Sequence, residues 1–441
     1  MVGAKPTSRI LEHKEGRRAI ISSVAMIGGW QVKHTPWPLV ESMVKQAGVD
    51  PEKDTVMVLF NLEFLEVLHD RYGREYMEKQ VTFIADSPVE RMLAQRCYGV
   101  KVLRPSMRAW GNVLDDKHRN KHRNLIGKLM AKLNAPADIT FTNPPYNGGL
   151  DLKILLALFD LNLIKRLICV HPSTWLVDVK TQLGPKSGNP TFRKFQDAVE
   201  PHLKSVHMFN GNPVFGIGLF VPCVITDLDM GWTRGKTTWV DVHYVGDAEG
   251  SSMKASDLSE ITLHGQAWRT CMKGFFQDMQ SECTKRGSIQ GSLRHSFDSS
   301  NSLASVQIAA IRGHEGYGPN GMVKDDFYTF VQKDPEVNRG IRSTDRQGTR
   351  TVLQVPGVLE QSNLLRYLQT DFARLCLSLL KLSQNLVTSE AALVPWMDFS
   401  RSWTDDELFS EFGYPPGHPL REYAKAFLPD YHNLYPNGKT Y

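Results

Sequence analysis

Residues 137–149 of the chain read ADITFTNPPYNGG, and the interpretation of the whole sequence starts from this stretch. Its apolar residues alternate with polar neighbours, as in a half-buried β-strand, and an apolar helical pattern follows at 150–163. A strand is therefore predicted to end at the tetrapeptide 143–146. Because ligands of open α/β sheets bind just outside the carboxyl ends of the strands, this tetrapeptide is a candidate site.

The residue types of the tetrapeptide suit the binding of an amine. Pro144 and Pro145 fix φ and have no N–H group, so the turn presents carbonyl oxygens beside the side-chain oxygen of Asn143. Such an array can accept both hydrogen bonds of an exocyclic amine, on adenine N6 or cytosine N4. Tyr146 offers a flat ring for an extruded base, and base–aromatic stacking is worth about 1–3 kcal/mol. A stiff surface turn without chemistry is the alternative.

The tetrapeptide resembles the signature of the amino-methyltransferases that use S-adenosylmethionine. In adenine-specific members of that family, an amino-terminal helix opens with Thr-Pro directly before the first cofactor strand. Thr35 and Pro36 match this motif, and a strand is predicted at 54–60. The resemblance implies an α/β fold with a Rossmann-like methyltransferase sheet, and it implies that Thr35 and Pro36 lie near the cofactor.

The sequence departs from the family pattern after the first predicted strand. The family has Phe-x-Gly-x-Gly there, because glycines let the backbone approach the cofactor. Residues 60–64 read FNLEF instead, so Phe60 keeps the aromatic start and no glycine follows. Asn61 and Glu63 are candidates for holding the cofactor with side chains. The alternative is that cofactor binding has weakened or been lost.

Two acidic positions are further candidates for cofactor contacts. Asp86 follows the second predicted strand, 81–85, where a carboxylate can accept hydrogen bonds from both ribose hydroxyls. A helix cap is its other interpretation, and the two roles can coexist. By the resemblance, an acidic contact to the adenine of the cofactor falls on Asp115 or on its neighbour Asp116, and we take Asp115.

Three groups of residues are candidates for contacts to nucleic acid. The tract 117–123, KHRNKHR, contains Lys117 and Arg119, which can bind phosphates. A second set of arginines stands among Gly, Ser and Gln, a setting that suits base-edge and phosphate contacts. This set is Arg339, Arg342 and Arg346. The resemblance places Phe215 near a flipped base. Solvated charge runs, a flexible polar loop and a packed Phe remain the alternatives.

The length of 441 residues predicts at least two domains. We divide the chain into an N-terminal arm at 1–30, a methyltransferase domain at 31–235 and a largely helical target-recognition domain at 236–441. The elements PWMDFS at 395–400 and WTDDEL at 403–408 resemble the closing segment of restriction–modification and phage adenine methyltransferases. Thr404 and Glu407 predict a capping box at a helix start.

Composition narrows the class of protein. The net charge of +5 permits a nucleic-acid partner without demanding one. Six cysteines without metal-ligand spacing favour reduced thiols and no metal site. No apolar run is long enough to span a membrane and no signal peptide is evident, so we expect a cytoplasmic protein with no membrane partner.

These observations predict a site-specific DNA methyltransferase that transfers a methyl group from S-adenosylmethionine to adenine N6 in double-stranded DNA. A restriction endonuclease or a phage-encoded protein is the expected partner. Two alternatives stay open. One is a catalytically silent DNA-binding subunit that keeps the fold, and the other is an enzyme of the same signature acting on cytosine N4 or on RNA.

Overall fold

A computed structural model describes most of the chain. The described residues are 11, 13–27, 34–85, 87–104, 119–131, 136–146, 149–178, 189–215, 222–235, 239–245, 252–294, 304–310, 327–332, 351–380 and 388–428.

The strands of the described residues fall into two sheets. They are β1 (Val56–Leu59), β2 (Val81–Ile84), β3 (Lys101–Leu103), β4 (Ala137–Thr142), β5 (Ile164–Pro172), β6 (Leu203–Asn210), β7 (Pro222–Asp229), β8 (Val240–Val245), β9 (Ser252–Ala255), β10 (Leu293–Arg294), β11 (Ala304–Ala310), β12 (Phe327–Gln332) and β13 (Thr351–Val355).

The α-helices connect and cover these strands. They are α1 (Lys14–Ile27), α2 (Trp37–Ala47), α3 (Leu62–Gln80), α4 (Pro88–Leu93), α5 (Arg119–Ala131), α6 (Leu150–Asp160), α7 (Thr174–Val177), α8 (Pro190–Val199), α9 (Gly211–Phe215), α10 (Lys273–Arg286), α11 (Ile289–Ser292), α12 (Val358–Leu368), α13 (Asp371–Ser378), α14 (Asp405–Glu411) and α15 (Pro419–Phe427). Short 3₁₀ or π segments lie at Ala94–Tyr98, Glu200–His202, Leu258–Glu260, Trp268–Met272 and Thr388–Leu393.

The larger sheet has nine strands in the order β3-β2-β1-β4-β5-β7-β6-β8-β9. Strands β1 to β5 run parallel, and β7 is antiparallel to both of its neighbours, β5 and β6. All four residues of β1 are buried, as expected for a parallel strand covered on both faces. The predicted α/β fold with a Rossmann-like, mostly parallel sheet is confirmed.

A second, four-stranded antiparallel sheet lies in the C-terminal region, in the order β10-β13-β11-β12. The sequence predicts a largely helical region here, and helices α10 to α15 lie in it together with strands β8 to β13. The nine-stranded sheet itself continues to Ala255 through β8 and β9, beyond residue 235. The division of the chain into three domains stays a prediction.

The larger sheet separates two apolar cores. One core contains Val58, Phe83, Phe141 and Ile168, and helices α2 and α3 contribute to it. The other core begins at Met57 on the opposite face and extends to Leu428 in the C-terminal region. In the part of the chain that the structure describes, no helix is long and apolar enough to cross a membrane.

The N-terminal helix α1 is anchored on α3 by a buried ion pair. Arg17 donates two hydrogen bonds to the carboxylate of Glu66, at 2.7 and 3.0 Å, and Tyr98 donates a third to the same carboxylate at 2.8 Å. Glu66 is fully buried and Arg17 nearly so. The ion pair therefore holds α1, which lies within the predicted N-terminal arm at 1–30, against the rest of the protein.

Candidate active site at the carboxyl edge of the sheet

The site is built where the two central parallel strands end. Strands β1 and β4 pair in register, with Leu59 opposite Thr142. The hydroxyl of Thr142 also donates to the carbonyl oxygen of Leu59 at 3.3 Å. The turn after β1, residues 60–63, therefore lies beside the turn after β4, residues 143–146, although about eighty residues of sequence separate them.

Asn143 is held in the site by three hydrogen bonds. Its backbone N–H donates to Oδ1 of Asn61 at 2.7 Å, and its side-chain nitrogen Nδ2 donates to Oγ1 of Thr35 at 3.0 Å. Its Oδ1 accepts a hydrogen bond from the hydroxyl of Tyr146. All three residues that make these contacts, Thr35, Asn61 and Asn143, are buried, so water competes little for their hydrogen bonds.

The turn 143–146 forms part of the protein interior. Pro144 and Pro145 are buried and Tyr146 is half-buried. The Tyr146 hydroxyl also lies 3.4 Å from the carbonyl oxygen of Val170 at the end of β5. Burial raises the pKa of Tyr146, so the hydroxyl keeps its proton and remains a hydrogen-bond donor.

Glu63 links the first turn to the segment before α2. Its Oε1 accepts the backbone N–H of Thr35 at 3.2 Å and lies 2.8 Å from Nδ1 of His34. Glu63 is buried, whereas the His34 side chain is partly exposed and packs edge-on against Trp37. His34 is not among the residues predicted from the sequence. Its position directly before the Thr-Pro motif was the only available signal.

Phe60 adopts a left-handed backbone conformation, with φ at 68°. This region favours glycine, and a non-glycine residue held there costs of the order of 1–3 kcal/mol. Phe60 is nevertheless buried in the core beside Leu59, and its N–H donates to the carbonyl oxygen of Ile84 at 2.9 Å. The turn thus has a glycine-like conformation at one position although its sequence contains no glycine.

A second buried polar group joins β5, α6 and β7. His171 at the end of β5 is fully buried, with its Nδ1 3.8 Å from Oδ2 of Asp151 and its Nε2 3.3 Å from Oγ1 of Thr226. Burial opposes the charged imidazolium, but the Cys169 sulfur and the Asp151 carboxylate favour it more strongly. Together these effects raise the pKa of His171 to about 9.

The structure brings some of the residues predicted from sequence together. Thr35, Pro36, Phe60, Asn61 and Glu63 lie in the segments that surround the turn 143–146. Phe215 lies at the end of α9, which follows β6, and its ring is 6.2 Å from that of Phe209; its place near a flipped base stays a prediction.

The remaining candidates are not tested by the structure. Arg119 begins helix α5, and the structure describes only its backbone. The others lie outside the described residues, and they are Asp86, Asp115, Lys117, Arg339, Arg342 and Arg346. Among the described residues, no group of three or more His, Cys, Asp or Glu side chains could hold a metal ion.

Comparison with known proteins gives distant structural neighbours. No protein-family model and no curated protein matches the sequence. A type I restriction–modification methyltransferase subunit from Streptococcus thermophilus is similar at 14% identity and a TM-score of 0.35, over 55% of this chain and 53% of that one. The M protein of the type I restriction enzyme EcoKI is similar at 14% identity and a TM-score of 0.32, over 52% and 51%.

The type IIG restriction endonuclease BpuSI is similar over a longer stretch. It matches at 10% identity and a TM-score of 0.40, over 94% of this chain and 67% of its own. The chain spans about half the length of the type I subunits. The protein is of the α/β class, and the turn 143–146 at the carboxyl edge of its sheet holds the buried Asn143 amide and the half-buried Tyr146 ring.

Proposed function

We propose that this protein is an S-adenosylmethionine-dependent DNA methyltransferase that methylates adenine N6. The observation that carries the proposal is the restrained Asn143 amide at the carboxyl edge of the sheet, within the sequence Asn-Pro-Pro-Tyr. Its nitrogen side is bound to Thr35, and its oxygen faces Tyr146.

The turn supplies acceptors for the two N–H groups of an exocyclic amine. An amide oxygen has two lone pairs, so Oδ1 of Asn143 can hold the Tyr146 hydroxyl and still accept one amine hydrogen. The carbonyl oxygen of Pro144 provides the second acceptor. With both of its hydrogens held, the amine presents its lone pair for attack. Because the amine is itself the nucleophile, no general base needs to act first; the methylated nitrogen would lose its surplus proton to water after transfer, and S-adenosylhomocysteine would be the leaving group.

The residues around the turn after β1 suit the methionine part of S-adenosylmethionine, which carries an ammonium group. Glu63 is a buried carboxylate, and its Oε1 is occupied by Thr35 and His34. Its Oε2 has no hydrogen-bond partner among the residues that the structure describes, so it can accept a cofactor ammonium group. Pro36 and Phe60 lie on the two segments that flank this carboxylate. Bound S-adenosylmethionine would supply an electrophilic methyl group beside the turn.

The chain accelerates the reaction by positioning. The fixed Asn143 amide and the rigid prolines hold the amine in one orientation, and the Tyr146 ring supports the plane of the base. Well-oriented intramolecular reactions reach effective molarities of about 10⁵–10⁸ M, which corresponds to roughly 7–11 kcal/mol of the barrier. The cost of extruding a base from the duplex is a few kcal/mol, comparable with the stacking that Tyr146 offers.

The substitution Asn143→Ala tests the role of the acceptor. We expect methyl transfer to duplex DNA to fall about 10²-fold or more, as is typical when one preorganised polar group is removed. Affinity for DNA should change little, since phosphate contacts supply most of it. Transfer is measured with radiolabelled S-adenosylmethionine, and DNA affinity by fluorescence anisotropy at one fixed salt concentration.

The control is Gln280→Ala, which removes an exposed amide side chain from helix α10. It should leave both quantities unchanged. Equal losses of transfer and DNA affinity in Asn143→Ala would refute the assigned role. Chromatography of the digested product separates N6-methyladenine from N4-methylcytosine. DNA binding without any binding of S-adenosylmethionine would instead identify a silent DNA-binding subunit.

A further inference from the structure

Two buried polar side chains lie in the turn after β1 and in the first turn of α3, where Leu62 and Phe64 stand at the glycine positions of the family pattern. They are Asn61 and Glu63, at 1% and 3% exposure. Asn61 contacts the backbone of Asn143, and Glu63 contacts the backbone of Thr35. Their separate contacts allow a separate role to be assigned to each.

Asn61 is committed to the catalytic turn. Its Oδ1 accepts the backbone N–H of Asn143 at 2.7 Å. A backbone N–H can only donate, so this contact fixes which end of the Asn61 amide faces Asn143. The next two residues are prolines, which have no N–H group of their own. Asn61 therefore accepts the N–H of Asn143, the last backbone N–H before the two prolines.

We propose that Asn61 is a positioning residue, which holds the Asn143 acceptor in place rather than binding the cofactor. The inference rests on the proposed function. It separates the two side chains by what they contact, because Asn61 accepts the backbone N–H of Asn143 whereas Glu63 contacts Thr35 and His34.

The comparison of Asn61→Leu with Asn61→Asp tests this role. Leucine fills a similar volume without an acceptor, so the Asn143 N–H is left buried and unpaired. We expect kcat to fall about tenfold to hundredfold, with the Kd for S-adenosylmethionine within about threefold of the unsubstituted protein. Aspartate keeps an oxygen at the same position, and we expect it to restore kcat to within about threefold.

The control variant is Asn363→Leu in helix α12. Asn363 is buried to a similar extent and its Nδ2 donates to the carbonyl oxygen of Phe399 at 3.0 Å, outside the site. This change should lower the melting temperature while leaving kcat and the Kd unchanged. An effect of Asn61→Leu on folding alone would reproduce the behaviour of this control and overturn the proposal.

The result that contradicts a positioning role is a weakened Kd for S-adenosylmethionine in Asn61→Leu with kcat preserved at saturation. A second readout does not depend on activity. Hydrogen–deuterium exchange of the peptide covering 139–146 should be faster in Asn61→Leu and slow again in Asn61→Asp. If the unsubstituted protein transfers no methyl group, the proposed function fails, and unchanged exchange in Asn61→Leu would separately refute the contact.

Discussion

At the scale of single residues, burial and the neighbours of His171 make the stability of the protein depend on pH. Its imidazole is fully buried, and its pKa is raised from 6.5 to about 9. The folded state therefore binds this proton more tightly than the unfolded state does. The stabilisation is complete below pH 6.5 and is lost as the pH rises through about 9.

The substitution Asp151→Asn tests this linkage. The unfolding free energy of the unsubstituted protein should include a His171 contribution that falls by at most about 3 kcal/mol from pH 6.5 to pH 9.5. Removing the carboxylate that lies 3.8 Å away should flatten this part of the profile. Urea unfolding at several pH values measures both proteins, and identical pH slopes would contradict the assignment.

At the scale of elements, two ion pairs attach α1 to α3, and one of them is buried while the other is exposed. Arg17 and Glu66 form the buried pair, whereas Lys14 and Asp70 form an exposed pair at 2.5 Å between the same two helices. Loss of one partner of a buried pair leaves an uncompensated charge, which is far more costly than the loss of an exposed pair.

We therefore expect Arg17→Met to lower the unfolding free energy by about 3–5 kcal/mol. The matched control Lys14→Met should cost about 1 kcal/mol or less. Chemical denaturation monitored by circular dichroism gives both values. Similar costs for the two substitutions would show that Glu66 does not depend on Arg17 for its burial.

Sequence patterns predicted several elements correctly because they depend on neighbours in the chain. The Thr-Pro signal predicted a helix start, and α2 begins at Trp37 with Pro36 as its N-cap. The Thr404 and Glu407 capping box is confirmed at the start of α14, with both reciprocal hydrogen bonds present. The four-stranded sheet of β10 to β13 was missed, since its pairing joins segments up to sixty residues apart.

At the scale of the whole molecule, one apolar core links the sheet to the C-terminal region. It contains Met57 in β1, Val242 in β8 and Leu428 after α15. Strand β8 also pairs in parallel with β6, so it covers an edge of that strand. Removal of the chain after residue 235 would expose this edge together with the apolar side chains that pack against β8.

A fragment ending at residue 235 tests whether the predicted methyltransferase domain folds alone. We expect it to aggregate or to bind a hydrophobic dye, because Val240, Val242 and Tyr244 are buried in the full chain and would be missing. The full-length protein, treated in the same way, is the comparison. Cooperative unfolding of a soluble fragment would instead support the boundary at 235.

Local sequence was enough to predict the strand that ends just before Asn143, the rigid proline turn and the helix start after Thr35, because each depends on a few adjacent residues. It could not determine which side chains meet at the site. Asn61 and Thr35 reach Asn143 across 82 and 108 residues of sequence. Only the pairing of β1 with β4 and the docking of the segment before α2 bring these groups within hydrogen-bond distance. Such contacts follow from the packing of distant segments, which no local pattern encodes.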